Sequence, residues 1–192
     1  MNSEAYTLSI KEEEIIQRWE RNPALKPRVH SVTLHICPGR SGEILQKTSL
    51  ILEELSNQKP VIHKAKRTIR NFGIRKGEPI AVSVTVRGRK ALEVLDRVVE
   101  AVGRRIKAKS FDEFGNFSFG IKEHIDIPGI KYKAEIGVFG MDVNVTLERI
   151  GYRVKRRRIK RSHIPRKHLL SKKEAIVFAR NYLNLEIIEE GD

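Results

Sequence analysis

Apolar residues recur along the chain with two periods, and the switch between them marks out the expected elements. Val32, Leu34 and Ile36 alternate with Ser31, Thr33 and His35, which predicts a half-buried strand with a small, polar outer face. Ile80, Val82, Val84 and Val86 alternate in the same way with Ala81, Ser83, Thr85 and Arg87. Phe117, Phe119 and Ile121 form one face of another strand. Met141, Val143, Val145 and Leu147 alternate with Asp142, Asn144, Thr146 and Glu148 in the last clear one. Between these segments the period changes to that of a helix. Leu8, Ile15, Ile16 and Trp19 predict a short amphipathic helix over 10–20, stopped at Asn22-Pro23. Ile44, Leu45, Ile51, Leu52 and Leu55 predict a helix from an N-cap at Ser41 to near Asn57. Leu92, Leu95, Val98, Val99, Val102 and Ile106 predict another, with Arg104, Arg105 and Lys107 complementing its C-terminal dipole. Ile176, Val177 and the run from Ala179 to Leu183 make a closing helix, with Ser171 as N-cap and Glu174 completing a capping box.

Two helices set between strands with short connections predict an α+β fold: a mainly antiparallel sheet with helices on one face, in a split βαβ arrangement that leaves the other face open. Residues 1–152 are expected to form a single α+β domain that includes the N-terminal helix. Residues 153–192 are expected to add a basic arm and the closing helix, the arm being too charged to contribute much core.

Charge changes this picture once it is located. The 192 residues carry a formal net charge of +14. Residues 59–90 hold ten bases and one acid, Glu78, and residues 149–173 hold twelve bases and no acid. These two segments exceed the whole net charge, so the rest of the chain is acidic, and the molecule reads as an ordinary domain with two basic surfaces. Gathering cations costs free energy that a polyanion returns by giving up its condensed counterions, and nucleic acid is the obvious polyanion. Residues 59–79 lack a helical stripe, and Gly73, Gly77 and Pro79 would interrupt one, so their charges are placed on a mobile loop running into the second strand. Cys37 is the sole cysteine, which excludes an intramolecular disulfide and fits a reducing cytoplasm. The N-terminus has acids where a signal peptide needs bases, and no stretch approaches a membrane span.

Catalytic chemistry is poorly represented. His163 and His168 are five apart with no acid between them, so neither a metal nor any other cofactor is expected. Asp112 and Glu113 could serve a metal-dependent nuclease, but they sit in a turn without further acids, as do Glu12 to Glu14 in their helix, and both groups read as solvated carboxylates. Pro38 to Glu43 could hold a phosphate on backbone N–H groups but lacks the lysine and hydroxyl of a P-loop. Thr33, His35, Ser83 and Thr85 either face water or hydrogen-bond to RNA sugars and bases beside Arg87. The arm residues Arg153, Lys155, Arg156, Arg157, Arg158, Lys160, Arg161, Arg166 and Lys167 read as a flexible RNA contact rather than a localisation signal.

Three long stretches, NQKPVIHKAKRTIRNFGIRKGEPIAVSVTVRG, KSFDEFGNFSFGIKEHIDIPGI and FGMDVNVTLERIGYRVKRR, closely resemble the large-subunit ribosomal protein L five family in its archaeal and eukaryotic form. The resemblance spans nearly the whole chain, and the split βαβ order read from the pattern is that of an RRM-like fold. The resemblance implies a non-catalytic, cytoplasmic ribosomal protein that binds 5S rRNA in the central protuberance and approaches P-site tRNA and a small-subunit bridge protein. Other large-subunit rRNA and ribosomal proteins would be neighbours, and the free protein would be a monomer. Carried over by motif, rRNA contacts fall on Gln58, Lys64, Phe72, Arg75, Thr85, Arg87 and Gly88. Phe72 would stack on a base, the arginines would hold phosphates, and Gly88 would allow close backbone approach. His35 stands where bacterial relatives carry an asparagine. Lys66, Arg67 and Arg70 are expected at a loop tip that faces tRNA, with Phe72 and Arg75 nearer the sheet. The alternative is a free-standing RNA-binding regulator outside the ribosome.

Overall fold

A computed structural model describes residues 2–130, 132, 133 and 135–188, with side chains described from Glu12 onward; the side chain of Leu8, placed in the first helical stripe, lies outside the described residues. In chain order the elements are α1 (Asn2–Arg21), β1 (Arg28–Ile36), α2 (Glu43–Ser56), β2 (Val61–Lys64), β3 (Pro79–Arg87), α3 (Arg89–Ala101), β4 (Arg105–Lys107), β5 (Phe117–Ile121), β6 (Met141–Glu148), α4 (Lys172–Tyr182) and β7 (Glu186–Ile188). They fall into two compact units, one of Ser31–Arg105 with Ser118–Val145, the other of Met1–His30, Ile106–Phe117 and Thr146–Asp192. The fold is α+β and its sheet mainly antiparallel, as expected.

The first unit is built on a sheet of order β2-β3-β1-β6-β5. β1 runs antiparallel to β3 with Ser31 opposite Arg87, Thr33 opposite Thr85 and His35 opposite Ser83. The strand period of two sends Val32, Leu34, Ile36, Val82, Val84 and Val86 to the other face, where each is at most 4% exposed. Both α2, through Leu45, Ile51, Leu52 and Leu55, and α3, through Ala91, Val94, Leu95, Val98 and Val99, bury their apolar stripes, and both pack on β3. Each such leucine or valine contributes roughly 1.5–3 kcal/mol on burial.

Several details depart from expectation. The split βαβ order is not among them: α2 joins β1 to β2, which run parallel to each other with β3 between them and antiparallel to both. The N-cap of α2 is Gly42 at φ 100°, not Ser41, whose hydroxyl donates instead to Glu78 Oε1 at 2.7 Å. Ile44 is exposed, and Thr48 fills the buried position by donating its hydroxyl to the Leu45 carbonyl at 2.9 Å. α3 ends at Ala101. Gly103 and Arg104 both adopt positive φ, so Ile106, four residues after Val102 and in apparent helical phase, belongs to β4. Leu92 is exposed, and Arg104 pairs with Asp96 at 2.7 Å rather than sitting in the last helical turn. β2 was not legible as a strand because it is an edge with Val61 and Ile62 both exposed, which removes the buried alternation.

In the second unit α1 is longer than the expected 10–20. Trp19 packs edge-on against Phe178 of α4, ring centroids 6.4 Å apart, and Phe178 stacks on Tyr182 at 5.3 Å. The capping box forms as expected, with Ser171 accepting from the Glu174 N–H and Glu174 accepting from the Ser171 N–H. The segment after Gly151 supplies more core than its charge suggests. Tyr152 and Leu170 are buried, and the Tyr152 hydroxyl accepts from the Leu170 N–H at 2.9 Å. No helix among the described residues is long and apolar enough to cross a membrane.

Candidate nucleic-acid interface

The open face of the first unit's sheet is assembled by register. Thr33 and Thr85 sit opposite each other with hydroxyls 3.1 Å apart. One step along, His35 faces Ser83, and the Ser83 hydroxyl lies 2.6 Å from His63 Nε2 on β2. The two imidazole rings are 6.3 Å apart, and His35 Nδ1 is 3.8 Å from Asp142 on β6. Arg87 closes the row, exposed, opposite Ser31. Thr33, His35, Ser83, Thr85 and Arg87 therefore form one polar patch, as their alternation requires. His63 and Asp142 belong to it and were missed. The register of β2 brings His63 there, opposite Ala81 and two residues from Ser83 on the same face of β3.

Gln58 is half-buried in the short link from α2 to β2, its N–H donating to Ser56 Oγ at 3.2 Å, and Lys64 ends β2. Gly88 caps α3 at φ 69° with nothing within 4 Å of where a Cβ would stand, so glycine is needed there for its backbone and leaves space beside it.

The basic loop is a hydrogen-bonded hairpin. The Ala65 N–H donates to the Glu78 carbonyl and the Gly77 N–H to the Ala65 carbonyl, each at 2.8 Å, and Ile69 bridges Ile74. Thr68 Oγ1 accepts from the Lys76 N–H at 3.0 Å. The turn is the 3-10 segment Arg70–Phe72 closed by Gly73 at φ 67°. This corrects the expected geometry: Phe72 stands at the tip with Arg70, 76% exposed, while Lys66 and Arg67 lie nearer the base, across from Arg75 and Lys76. Glu78, the one acid of the segment, ties the base. Its carboxylate accepts from the Arg75 N–H at 2.9 Å and from Ser41, and these hydrogen bonds hold it below the usual carboxylate range.

The basic arm lies in the second unit. Arg156 and Arg157 donate their N–H groups to the Arg153 carbonyl, and Arg157 Nε donates to the Lys160 carbonyl at 2.7 Å. Lys155 sits over the Tyr152 ring at 4.8 Å. Arg156 is bound to Glu148 at 2.6 Å and to His30 at 2.7 Å. Since guanidinium only donates, His30 Nε2 accepts and its proton faces Glu148 from Nδ1. Arg153, Arg158, Lys160, Arg161, Arg166 and Lys167 are exposed. Among the described residues no group of three or more His, Cys, Asp or Glu is placed to hold a metal ion. Asp112 spends both oxygens on its own turn, accepting from the Phe114 and Asn116 N–H groups and from the Asn116 side chain, and Glu12 pairs with Arg180 at 2.6 Å.

A sheet open on one polar face, beside a basic hairpin, defines an α+β protein with a surface suited to a polyanion. The chain belongs to the ribosomal protein L5 family: residues 22–75 match the family model described as ribosomal protein L5, and residues 79–178 match the model of that family's C-terminus. It is 51% identical over 192 residues to the large ribosomal subunit protein uL5 of Aeropyrum pernix, covering 98% of this chain and 100% of that protein. Against the protein of the same name from Sulfurisphaera tokodaii it is 56% identical over 169 residues, 88% of this chain and 96% of the other. Against that from Methanococcus maripaludis it is 47% identical over 175 residues, 90% and 97%.

Proposed function

We propose that this chain is a structural, non-catalytic protein of the large ribosomal subunit that binds 5S rRNA on the open face of its sheet and helps attach it in the central protuberance. The observation that carries the reading is the register-built patch of Thr33, Thr85, His35, Ser83 and Arg87 next to a basic hairpin. Hydroxyls and imidazoles there offer donors and acceptors to ribose and base edges, and the surrounding cations neutralise phosphates. Gln58, Lys64 and Arg75 extend the contact along β2 and the hairpin base. The hairpin tip, Arg70 with Phe72, reaches P-site tRNA, where an exposed phenyl ring stacks on an unpaired base. The names of the relatives and the family membership support a place in the ribosome, and hence in the cytoplasm.

The test is filter binding of purified chain to 5S rRNA. Thr85→Ala with Arg87→Ala should weaken binding about tenfold or more, the value of one charged and one neutral hydrogen bond, with little change in thermal midpoint. Binding should fall with salt with a log–log slope of roughly −0.7 to −0.9 per phosphate neutralised. Unchanged affinity in the double variant would remove the sheet face from the interface. Arg70→Ala with Phe72→Ala should spare 5S rRNA binding and weaken tRNA retention on ribosomes that carry it; loss of 5S rRNA instead would reverse the assignment of the tip.

A further inference from the structure

A cleft of about 310 Å³ opens on the first unit's sheet where β1 and β5 end and β6 begins, lined by His35, Cys37, Gly120, Lys122, Gly140 and Asp142. Its volume lies at the lower end of the roughly 300–1,000 Å³ range of small-ligand sites, room for one flat group rather than a chain. Two of its features are unlike the rest of the polar face. The first is charge. Asp142 is 72% exposed, its Oδ2 lies 3.8 Å from His35 Nδ1, and among the described residues no lysine or arginine pairs with it. A carboxylate left open on a surface that takes phosphates repels them, unless it accepts hydrogen bonds from the bases instead.

The second feature is space. A Cβ at Gly120 would stand 3.8 Å from Asp142 Oδ1, so the missing side chain leaves that oxygen open toward the cleft. Gly120 is not at positive φ, so its backbone does not call for glycine and what the residue supplies is room. At the rim, Gly140 approaches the Lys122 carbonyl so closely that a Cβ would lie 3.0 Å from it, which sets the wall on backbone. Asp142 belongs to β6, paired on one side with β1 and on the other with β5, so a strand held on both sides fixes its place. Guanine alone among the RNA bases presents two adjacent N–H donors, at N1 and N2, on its Watson–Crick edge, and a carboxylate accepts both at once. Adenine and cytosine offer one amino group there, and uracil one ring N–H. We infer that this cleft takes the base of an unpaired guanine in RNA, its N1–H and N2–H donated to Asp142 and its ring seated over Gly120. The inference rests on the reading that the open face binds RNA, and adds to it which nucleotide is selected.

The experiment follows the amides of Gly120, Lys122 and Asp142 in the ¹⁵N-labelled full chain during titration with the single-stranded pentaribonucleotides UUGUU, UUAUU, UUCUU and UUUUU. UUGUU should shift them saturably and bind about tenfold more tightly than the other three, the value of one bidentate pair. Hypoxanthine in place of guanine keeps N1–H and lacks the 2-amino group, and its affinity should fall between. Asp142→Ala, which removes the acceptor, and Gly120→Val, which fills the space beside it, should each bring UUGUU to the level of UUUUU. Thr85→Ala with Arg87→Ala should weaken all four pentamers alike and keep the ratio between them. Equal binding of the four, or a guanine preference that survives Asp142→Ala, overturns the guanine site and leaves the open face as an RNA surface. No binding by any pentamer overturns both readings. Guanosine 5′-monophosphate bound as tightly as UUGUU would assign the cleft to a free nucleotide and overturn its assignment to RNA.

Discussion

Arg156 donates through Nη2 to Oε2 of Glu148 at 2.6 Å, and Glu148 is only 3% exposed, so the first turns of the basic arm are tied to a buried carboxylate at the end of β6. A carboxylate this buried needs a cation. Of the arm's arginines, Arg156 thus serves the protein, while Arg153, Arg158, Arg161 and Arg166 present their charge to solvent. Arg156→Ala should cost about 1–3 kcal/mol, less than a fully buried pair because Arg156 is 43% exposed, whereas Arg158→Ala should cost about 0.5 kcal/mol or less. Denaturant midpoints compare the two. Equal midpoints would show that Glu148 does not depend on the arm.

His124 is buried, accepts at Nδ1 from the Phe139 N–H at 3.3 Å, and has its pKa lowered from 6.5, chiefly by burial. The folded chain then binds its proton less readily than the unfolded chain does. Stability from the neutral ring is complete above pH 6.5 and declines as pH falls below it toward the folded value. Between pH 7.5 and 5.5 the parent chain should therefore lose more stability than His124→Gln, the other histidines cancelling in the comparison. Parallel losses in chemical denaturation would refute it.

Glu78→Gln should loosen the hairpin base without unfolding the chain. The amide of Arg75, which donates to this carboxylate, should exchange hydrogen faster, and so should those of Lys76 and Gly77. Because Glu78 titrates below the ordinary carboxylate range, the parent hairpin should keep its protection above that range and lose it as pH falls through the lowered value. Unaltered exchange at Arg75 in the variant would mean the backbone bonds of Ala65 and Gly77 suffice.

Glu174→Ala should be the most damaging single change in the second unit, at about 3–5 kcal/mol, because it strands the buried Arg149 guanidinium and removes the capping box together. Glu174→Gln, which keeps a hydrogen-bonding side chain, should cost less. Thermal midpoints that rank the two variants the other way would mean that a hydrogen-bonding side chain at 174 does nothing for Arg149.

Much of this architecture was written in local pattern. Alternation at Val32–Ile36, Val82–Val86 and Met141–Leu147 placed three strands and told their buried face from their polar one, since the pleat admits two faces and water decides between them. The Ser171–Glu174 capping box and the stop at Asn57, which takes αL geometry, are equally local. The polar patch follows from the same alternation, and its charge was legible from the concentration of bases.

What only the tertiary structure decided is which segments meet. Insertion of β3 between β1 and β2, the edge pairing that makes VIHK a strand, and the hairpin turn that carries Phe72 to the tip all depend on partners met only in the fold. Ser41 and Glu78 are 37 residues apart, and Arg149 and Glu174 are 25 apart. Glu78 among its bases and Arg149 between Glu148 and Ile150 look alike on paper as solvated charge. Burial is what separates them: where the fold removes water, a charge must find a partner, and the partner is chosen by the path of the chain rather than by its neighbours along it.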